Sequence, residues 1–218
     1  MISRRAALAT MLVGAGGIVL TACTPRPAQN TPTSRPQGSP LPTSTQNRAL
    51  LVYFSRAGEN YSYGDRVDLE VGNTKVAAGI IRDLIDIDEY EILAADPYPD
   101  GYEATVQRNV REERDDARPA IAGALPDLAT YDTILLGSPV WNVRAPMIMR
   151  TFVESVALTG KTVHPFATYA VSRMGRVRDD YAEMLPDTMV TEGLAIQGET
   201  VHDARPDVQR WLRSIGLA

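Results

Sequence analysis

Apolar residues recur along the chain from residue 49 in two alternating patterns, short continuous runs and longer segments with helical spacing. Ala49 to Phe54 is a continuous apolar run that includes Val and Tyr, typical of a strand covered on both faces. Comparable runs predict four more strands, at residues 89–93, 132–137, 162–170 and 189–196.

Helices are predicted in the segments that follow these strands. In residues 73–86 the apolar side chains share one helical face, namely Val76, Ala77, Ile80, Ile81, Leu84 and Ile85. Further helices are predicted at residues 100–116, 146–156 and 175–185, and from about Asp203. Strand and helix alternate five times, which predicts an α/β fold with a parallel sheet and helices on both faces.

Ligands of such sheets bind outside the carboxyl ends of the strands, at the point where the strand order reverses. The loops to consider are therefore SRAGENY…GNT after the first strand, GSPVWNVRAP after the third and ATYAVSRMG after the fourth. In the first, Ser55, Asn73 and Thr74 offer the amides and hydroxyls that hold a phosphate at a helix N-terminus. Plain helix capping by Asn73 and Thr74 is the alternative interpretation.

The second and third loops carry aromatic residues at strand ends. Trp141 lies in a turn and outside any helical stripe, whereas Trp211 falls on the apolar face of the last helix and is expected in the core. An exposed indole in that turn can stack on a flat heterocycle, with backbone groups of Val140, Asn142 and Val143 available to a polar ring edge. Tyr169, at the end of the fourth strand, could then flank the opposite side.

These motifs resemble the flavodoxin-like proteins, and more narrowly a bacterial subfamily with an extended first loop ending in GNT. The resemblance rests on VYFSRAGENY…VGNTKVA, PYPDGYEATVQRNVREERDDARPAI, YDTILLGSPVWNVRAPMIMRTFVE, GKTVHPFATYAVS and MVTEGLAI…VQRWL. It covers residues 49–217 and implies a flavodoxin-like doubly wound sandwich, a five-stranded parallel sheet of order 2-1-3-4-5.

The resemblance implies FMN as the cofactor. The ribityl phosphate would be held by Ser55, Arg56, Asn73 and Thr74. The isoalloxazine would be lined by Pro139, Val140, Trp141, Asn142 and Val143, and closed on its other side by Thr168, Tyr169, Ala170 and Ser172. The sequence departs from the family at Val171-Ser172-Arg173, where a small Gly-Ser turn is usual. Because Val tolerates neither φ > 0 nor close approach to a ring, weaker flavin binding or a different loop path is expected.

The N-terminal residues have the pattern of an exported lipoprotein. Arg4-Arg5, a modest apolar stretch and Leu20-Thr21-Ala22-Cys23 resemble a signal peptide with a lipobox, in which Cys23 is lipidated. The arginine pair also resembles a twin-arginine signal, with Sec export as the alternative. Residues 24–48 follow as a tether, because residues 24–47 contain six prolines, eight Ser or Thr and no acidic residue. We therefore expect residues 49–218 to form one domain, lipid-anchored to the outer face of the bacterial cytoplasmic membrane.

The charge distribution narrows the choice of partner. Residues 1–48 hold five arginines, so the 27 acidic residues face only 17 of the 22 basic residues in the rest of the chain, a net charge of about −10. This charge disfavours nucleic acid as a partner. His164 and His202 are isolated, which predicts structural roles and no metal site.

The sequence therefore favours an FMN redox protein that passes electrons from an unknown donor to a quinone, metal or protein acceptor. A flavin-free binding or scaffolding lipoprotein that retains the fold is the alternative. A hydrolase is disfavoured because Gly137-Ser138-Pro139 lacks the second glycine of a nucleophile elbow. A phosphate-accepting receiver domain is disfavoured because Ser55 and Arg56 stand where clustered acids would be needed.

Overall fold

The structure, a computed structural model, describes residues 48–218. Its strands are β1 (Ala49–Phe54), β2 (Gly58–Ser62), β3 (Asp65–Leu69), β4 (Asp88–Ile92), β5 (Thr133–Pro139), β6 (Thr162–Tyr169), β7 (Met189–Val190) and β8 (Leu194–Gln197). Its helices are α1 (Asn73–Arg82), α2 (Tyr102–Arg114), α3 (Met147–Ser155), α4 (Val177–Met184) and α5 (Arg205–Ser214), with a 3₁₀ helix over Gly198–Asp203 before α5.

The main sheet has the strand order β4-β1-β5-β6-β7, with β8 also paired to β6, and every pairing in it is parallel. Counted as the five strands of the sequence pattern, this order is 2-1-3-4-5. The predicted doubly wound α/β fold is confirmed, and the order reverses between β1 and β5.

The fifth strand differs from the prediction, because residues 189–196 form two short strands instead of one. β7 pairs with Thr162 and Val163, and β8 pairs with β6 from Phe166 onward. Between them Gly193 has φ +77°, and a Cβ at this position would lie 2.4 Å from the Pro165 carbonyl oxygen. The chain therefore leaves the sheet where only glycine fits against β6.

Alternate residues of β1 enter two separate cores. Leu50, Val52 and Phe54 pack with α3 and α4, whereas Leu51 and Tyr53 pack with α1 and α5. This is the physical reason for the continuous apolar run, since neither face of the strand meets water. Trp211 is 7% exposed on the α1/α5 side, as its helical spacing predicts.

The segment between β1 and α1 contains a β-hairpin that the sequence analysis treated only as an inserted loop. β2 and β3 pair antiparallel around Tyr63 and Gly64, whose φ angles are +49° and +96°. Two positive φ angles are the signature of the tight turn whose twist suits a two-residue hairpin. The Glu59 amide donates to the Asp100 carbonyl at 2.8 Å, which ties the hairpin to the loop before α2.

The predicted N-terminal features lie outside the described residues. These are the signal peptide of residues 1–23 with Arg4-Arg5 and Cys23, and nearly all of the tether of residues 24–48. Within residues 48–218, no helix has both the length and the apolar character needed to cross a bilayer.

Candidate functional site

A cavity of about 320 Å³ opens at the carboxyl ends of β1, β5 and β6, at the reversal of strand order. Its volume lies within the range of small-molecule sites. Eleven of the thirteen residues predicted for cofactor binding line it, namely Ser55, Arg56, Asn73, Thr74, Pro139, Val140, Trp141, Asn142, Thr168, Tyr169 and Ala170. The structure therefore brings the three loops together around one space.

Val143, one of the thirteen predicted residues, is not among the residues that line this cavity. Asn142 and Val143 form a two-residue turn with φ angles of +46° and +62°, closed by reciprocal backbone hydrogen bonds between Trp141 and Arg144 at 2.8 and 2.9 Å. The turn leaves the Val143 side chain 47% exposed. Its carbonyl accepts a hydrogen bond from the Arg176 amide at 2.7 Å, so this backbone group is already engaged.

Ser172 also falls outside the cavity lining, because the loop after β6 turns away from it. The Ser172 carbonyl accepts a hydrogen bond from the Gly175 amide at 3.0 Å, and Val171 is 79% exposed. Gly175 lies so close to the Val143 carbonyl that a Cβ would be 2.2 Å from its oxygen. The Val171 side chain does not line the cavity, and both expectations raised by this residue stay predictions.

The end of the cavity nearest α1 is built from a close packing of β1 on the helix start. A Cβ on Gly72 would lie 2.3 Å from the Arg56 carbonyl oxygen and 2.4 Å from Ser55 Oγ, which explains the glycine of the GNT motif. Ser55 Oγ accepts a hydrogen bond from the Lys75 amide at 3.0 Å. Ser55 thus caps the helix from the neighbouring loop, and the amides of Asn73 and Thr74 belong to its first turn.

Thr74 is almost completely enclosed at the start of α1. It is 1% exposed, and its hydroxyl lies 2.7 Å from the hydroxyl of Thr168, which is 4% exposed. Two hydroxyls that share one hydrogen bond use one proton between them, so one proton of the pair is left to donate elsewhere. The pair links α1 to the end of β6 across the cavity floor.

Arg56 makes most of its hydrogen bonds to the protein itself. Its guanidinium donates to the carbonyls of Pro99 and Asp100, both at 3.0 Å, and to the Glu59 carbonyl. Burial lowers the pKa of Arg56, against the opposing effect of nearby carboxylates, Asp100 foremost. The side chain therefore fastens the hairpin to the loop before α2, and its buried Nε has no partner within residues 48–218.

Trp141 is half-buried instead of freely exposed. Its ring meets Phe54 at 5.7 Å between centroids and Tyr98 at 5.1 Å, both nearly edge to face. Tyr98 is in turn held by a 2.8 Å hydrogen bond from its hydroxyl to Glu112 Oε2, and burial raises its pKa well above the usual range. The indole is thus fixed in orientation before any ligand arrives.

One wall of the cavity comes from α2, which the sequence analysis did not assign to the site. That wall consists of Tyr102, Thr105, Val106, Asn109 and Val110. Tyr102, Val106 and Val110 recur at four-residue spacing in an otherwise mostly polar helix, a signal that could have identified this face. The hairpin adds Asn60 and Tyr61, and the 3₁₀ helix adds Gly198 and Glu199.

Three buried polar atoms in the cavity walls have no hydrogen-bond partner within residues 48–218. They are Nε of Arg56, Oδ1 of Asn109 and Oε2 of Glu199. Buried polar groups in native proteins are usually satisfied, and an orphan costs about 1–3 kcal/mol. The residues that carry this one donor and these two acceptors all line the same cavity. Over the same residues, no cluster of three or more His, Cys, Asp or Glu could hold a metal ion.

The family model for flavodoxin matches residues 69–215, most of the described chain. The chain belongs to the flavodoxin family. Among solved structures, this flavodoxin is similar to a candidate flavoprotein from Bacteroides uniformis ATCC 8492, with 30% identity and a TM-score of 0.61 over 77% of this chain and 98% of that one. A candidate flavoprotein from Bacteroides eggerthii DSM 20697 matches with 28% identity and a TM-score of 0.63 over 78% and 99% of the two chains.

A flavoprotein from Lactobacillus acidophilus NCFM, crystallised in complex with FMN, shares the fold of this flavodoxin. The identity is 20% and the TM-score 0.53, over 72% of this chain and 97% of that chain. No curated protein matched the sequence of this flavodoxin.

Proposed function

We propose that this flavodoxin binds FMN in the cavity at the ends of β1, β5 and β6 and transfers electrons through it. The observation that carries the proposal is the cavity itself, where a helix N-terminus, a fixed indole and three unpartnered polar atoms surround one space. A phosphate, a flat heterocycle and ring or ribityl donors are the chemical groups that these features suit.

The residues of the first turn of α1 would hold the phosphate. The amides of Asn73 and Thr74, the Thr74 hydroxyl, which would accept from Thr168 and donate to the phosphate, and Arg56 Nε are the donors proposed there. Helix N-terminal amides and the helix dipole favour an anion without a fully committed cation. The subfamily with an extended loop ending in Gly72-Asn73-Thr74 is part of this proposal.

The loop after β5 would hold the ring. Trp141 offers a fixed aromatic surface, Val140 and Asn142 lie beside it, and Thr168 to Ala170 stand at the end of the adjacent strand β6. When bound, FMN supplies one- or two-electron redox chemistry, while the protein sets access and potential. The net charge of about −10 on residues 49–218 disfavours a reduced flavin anion, so we expect a low potential.

The test is the absorption spectrum of the full-length protein purified in detergent, before and after FMN is added. We expect a yellow protein with blue absorbance, or a colourless one that takes up one FMN per chain. A protein that remains colourless and leaves FMN fluorescence unchanged would support the flavin-free scaffolding alternative instead. The acceptor, whether quinone, metal or protein, would then be sought by reoxidising the reduced holoprotein with each class.

We further propose that the domain is exported and held at the outer face of the cytoplasmic membrane by a lipid on Cys23. Cys23→Ala should release the protein into the soluble fraction, because the lipid is the proposed anchor and no helix in residues 48–218 is long and apolar enough to cross a bilayer. A Cys23→Ala protein that still sediments with membranes would contradict the anchor. Replacing Arg4-Arg5 by two lysines should block export by a twin-arginine route and leave Sec export intact.

A further inference from the structure

The α2 wall of the cavity contains one amide side chain whose hydrogen-bonding is incomplete. Asn109 is 3% exposed and lines the cavity, yet its Oδ1 has no partner within residues 48–218. Its neighbour Thr105 is equally buried on the same wall, but the Thr105 hydroxyl is satisfied by the Pro99 and Gly101 carbonyls at 2.8 and 3.0 Å. Of the side chains of Asn109 and Thr105, only that of Asn109 therefore has an acceptor without a partner.

The orientation of the Asn109 amide is fixed by a carboxylate. Glu113 Oε1 accepts a hydrogen bond from Asn109 Nδ2 at 2.9 Å, and Glu113 Oε2 accepts one from Asn142 Nδ2 at 2.5 Å. A carboxylate only accepts, so the nitrogen of the Asn109 amide must face Glu113 and the oxygen must face away from it. Glu113 therefore presets Asn109 as an acceptor and ties it to the turn beside Trp141.

We propose that Asn109 recognises the ring of the bound ligand by accepting a hydrogen bond at Oδ1 from a ring N–H, with Glu113 as the positioning residue. The inference rests on the proposed function, that the cavity binds FMN. Oxidised isoalloxazine carries a single ring N–H, at N3. The ribityl hydroxyls are less suitable donors here, because the phosphate is assigned to α1 while Asn109 is linked to the ring loop through Asn142. Val106 and Val110 flank Asn109 on the cavity wall, which suits a flat ring.

The assignment predicts different affinities for two ligands that differ only in the group bonded to N3. FMN offers the N3 proton, whereas N3-methyl-FMN does not and would leave the Asn109 oxygen unpartnered. Because this oxygen has no partner to give up, the hydrogen bond should favour FMN by about three- to tenfold in affinity. Asn109→Leu keeps the branched shape of the side chain but removes the acceptor. It should therefore weaken FMN binding by a similar factor and bring the preference close to one.

The experiment measures the dissociation constants of both ligands by quenching of flavin fluorescence, with full-length wild type, Asn109→Leu and the control Thr105→Val. Thr105→Val removes an equally buried hydroxyl from the same wall and should keep the wild-type preference. Glu113→Ala, at a partly exposed site, should reduce the preference because it frees the Asn109 amide to turn. This last variant also keeps the test available if Asn109→Leu fails to fold.

The outcomes separate this inference from the function on which it rests. Wild type that binds FMN and N3-methyl-FMN equally would overturn the role of Asn109 and leave FMN binding intact. So would an Asn109→Leu protein that retains the wild-type preference, since the preference would then come from another residue. Wild type that binds neither ligand would overturn both proposals.

Discussion

Removal of the Thr74 hydroxyl should separate the phosphate end of the proposed site from the ring end. Thr74→Val is nearly isosteric, so it deletes the hydroxyl without opening a space in a position that is 1% exposed. A hydrogen bond to a charged group contributes about 1.5–3 kcal/mol, which corresponds to about ten- to a hundredfold in FMN affinity. Riboflavin lacks the phosphate, so its affinity should change much less.

The hydroxyl pair in the structure supplies the control for this variant. Thr74 and Thr168 share one hydrogen bond of 2.7 Å, so either Thr→Val change loses that bond, a loss of about 0.5–1.5 kcal/mol in the free energy of unfolding. Thr168→Val leaves the Thr74 proton free to donate, so the ratio of FMN to riboflavin affinity should stay near that of wild type. Only Thr74→Val should lower the ratio.

The assay is a titration of each protein with both flavins, followed by fluorescence quenching, together with thermal unfolding of the free proteins. The unfolding data measure the loss of stability that both variants share, so that it can be separated from the change in flavin affinity. If Thr74→Val weakened FMN and riboflavin by the same factor, the phosphate would not lie at α1, and the placement of the whole cofactor would fail.

Three further changes test other parts of the site and fold. Trp141→Ala should weaken the binding of FMN and of riboflavin alike, by about 1 kcal/mol, because stacking acts on the ring that both share. Titration with both flavins tests this. Gly175→Ala should destabilise the fold by about 1–3 kcal/mol in thermal unfolding, since its Cβ would lie 2.2 Å from the Val143 carbonyl oxygen at φ +52°. Burial lowers the pKa of His164 below its usual 6.5, so the unfolded chain binds more protons and stability should fall as the pH drops below about 6.5. His164→Gln should remove that part of the pH dependence in denaturant titrations; an unchanged slope would argue against it.

The parallel sheet with helices on both faces could be predicted because it depends on local patterns, whereas the strand order 2-1-3-4-5 was implied by the resemblance to flavodoxin-like proteins. The apolar run at Ala49–Phe54 is visible without knowledge of its neighbours, and the alternation of strands and helices leaves few topologies. The break in the fifth strand could not be predicted in the same way. It depends on the close approach of Gly193 to the Pro165 carbonyl, a tertiary contact between residues far apart in the chain.

The sequence pointed to the parts of the candidate site that lie in loops at strand ends and at the start of α1, but not to the wall that α2 contributes. Asn109 lies in the middle of α2, and its incomplete hydrogen bonding appears only once Glu113 and Asn142 are placed beside it. The enclosure of Thr74 likewise depends on Thr168, 94 residues away. Arg56 was assigned to the phosphate by resemblance, whereas its carbonyl partners come from the loop before α2.

The central claim is that one cavity holds FMN with its phosphate at α1 and its ring beside Trp141. A crystal structure of the protein with FMN tests this most directly. The account predicts flavin density in the cavity, with phosphate oxygens in hydrogen-bond range of the Asn73 and Thr74 amides and the isoalloxazine against the indole. Flavin bound elsewhere on the molecule, or bound in this cavity with its phosphate away from α1, would contradict it.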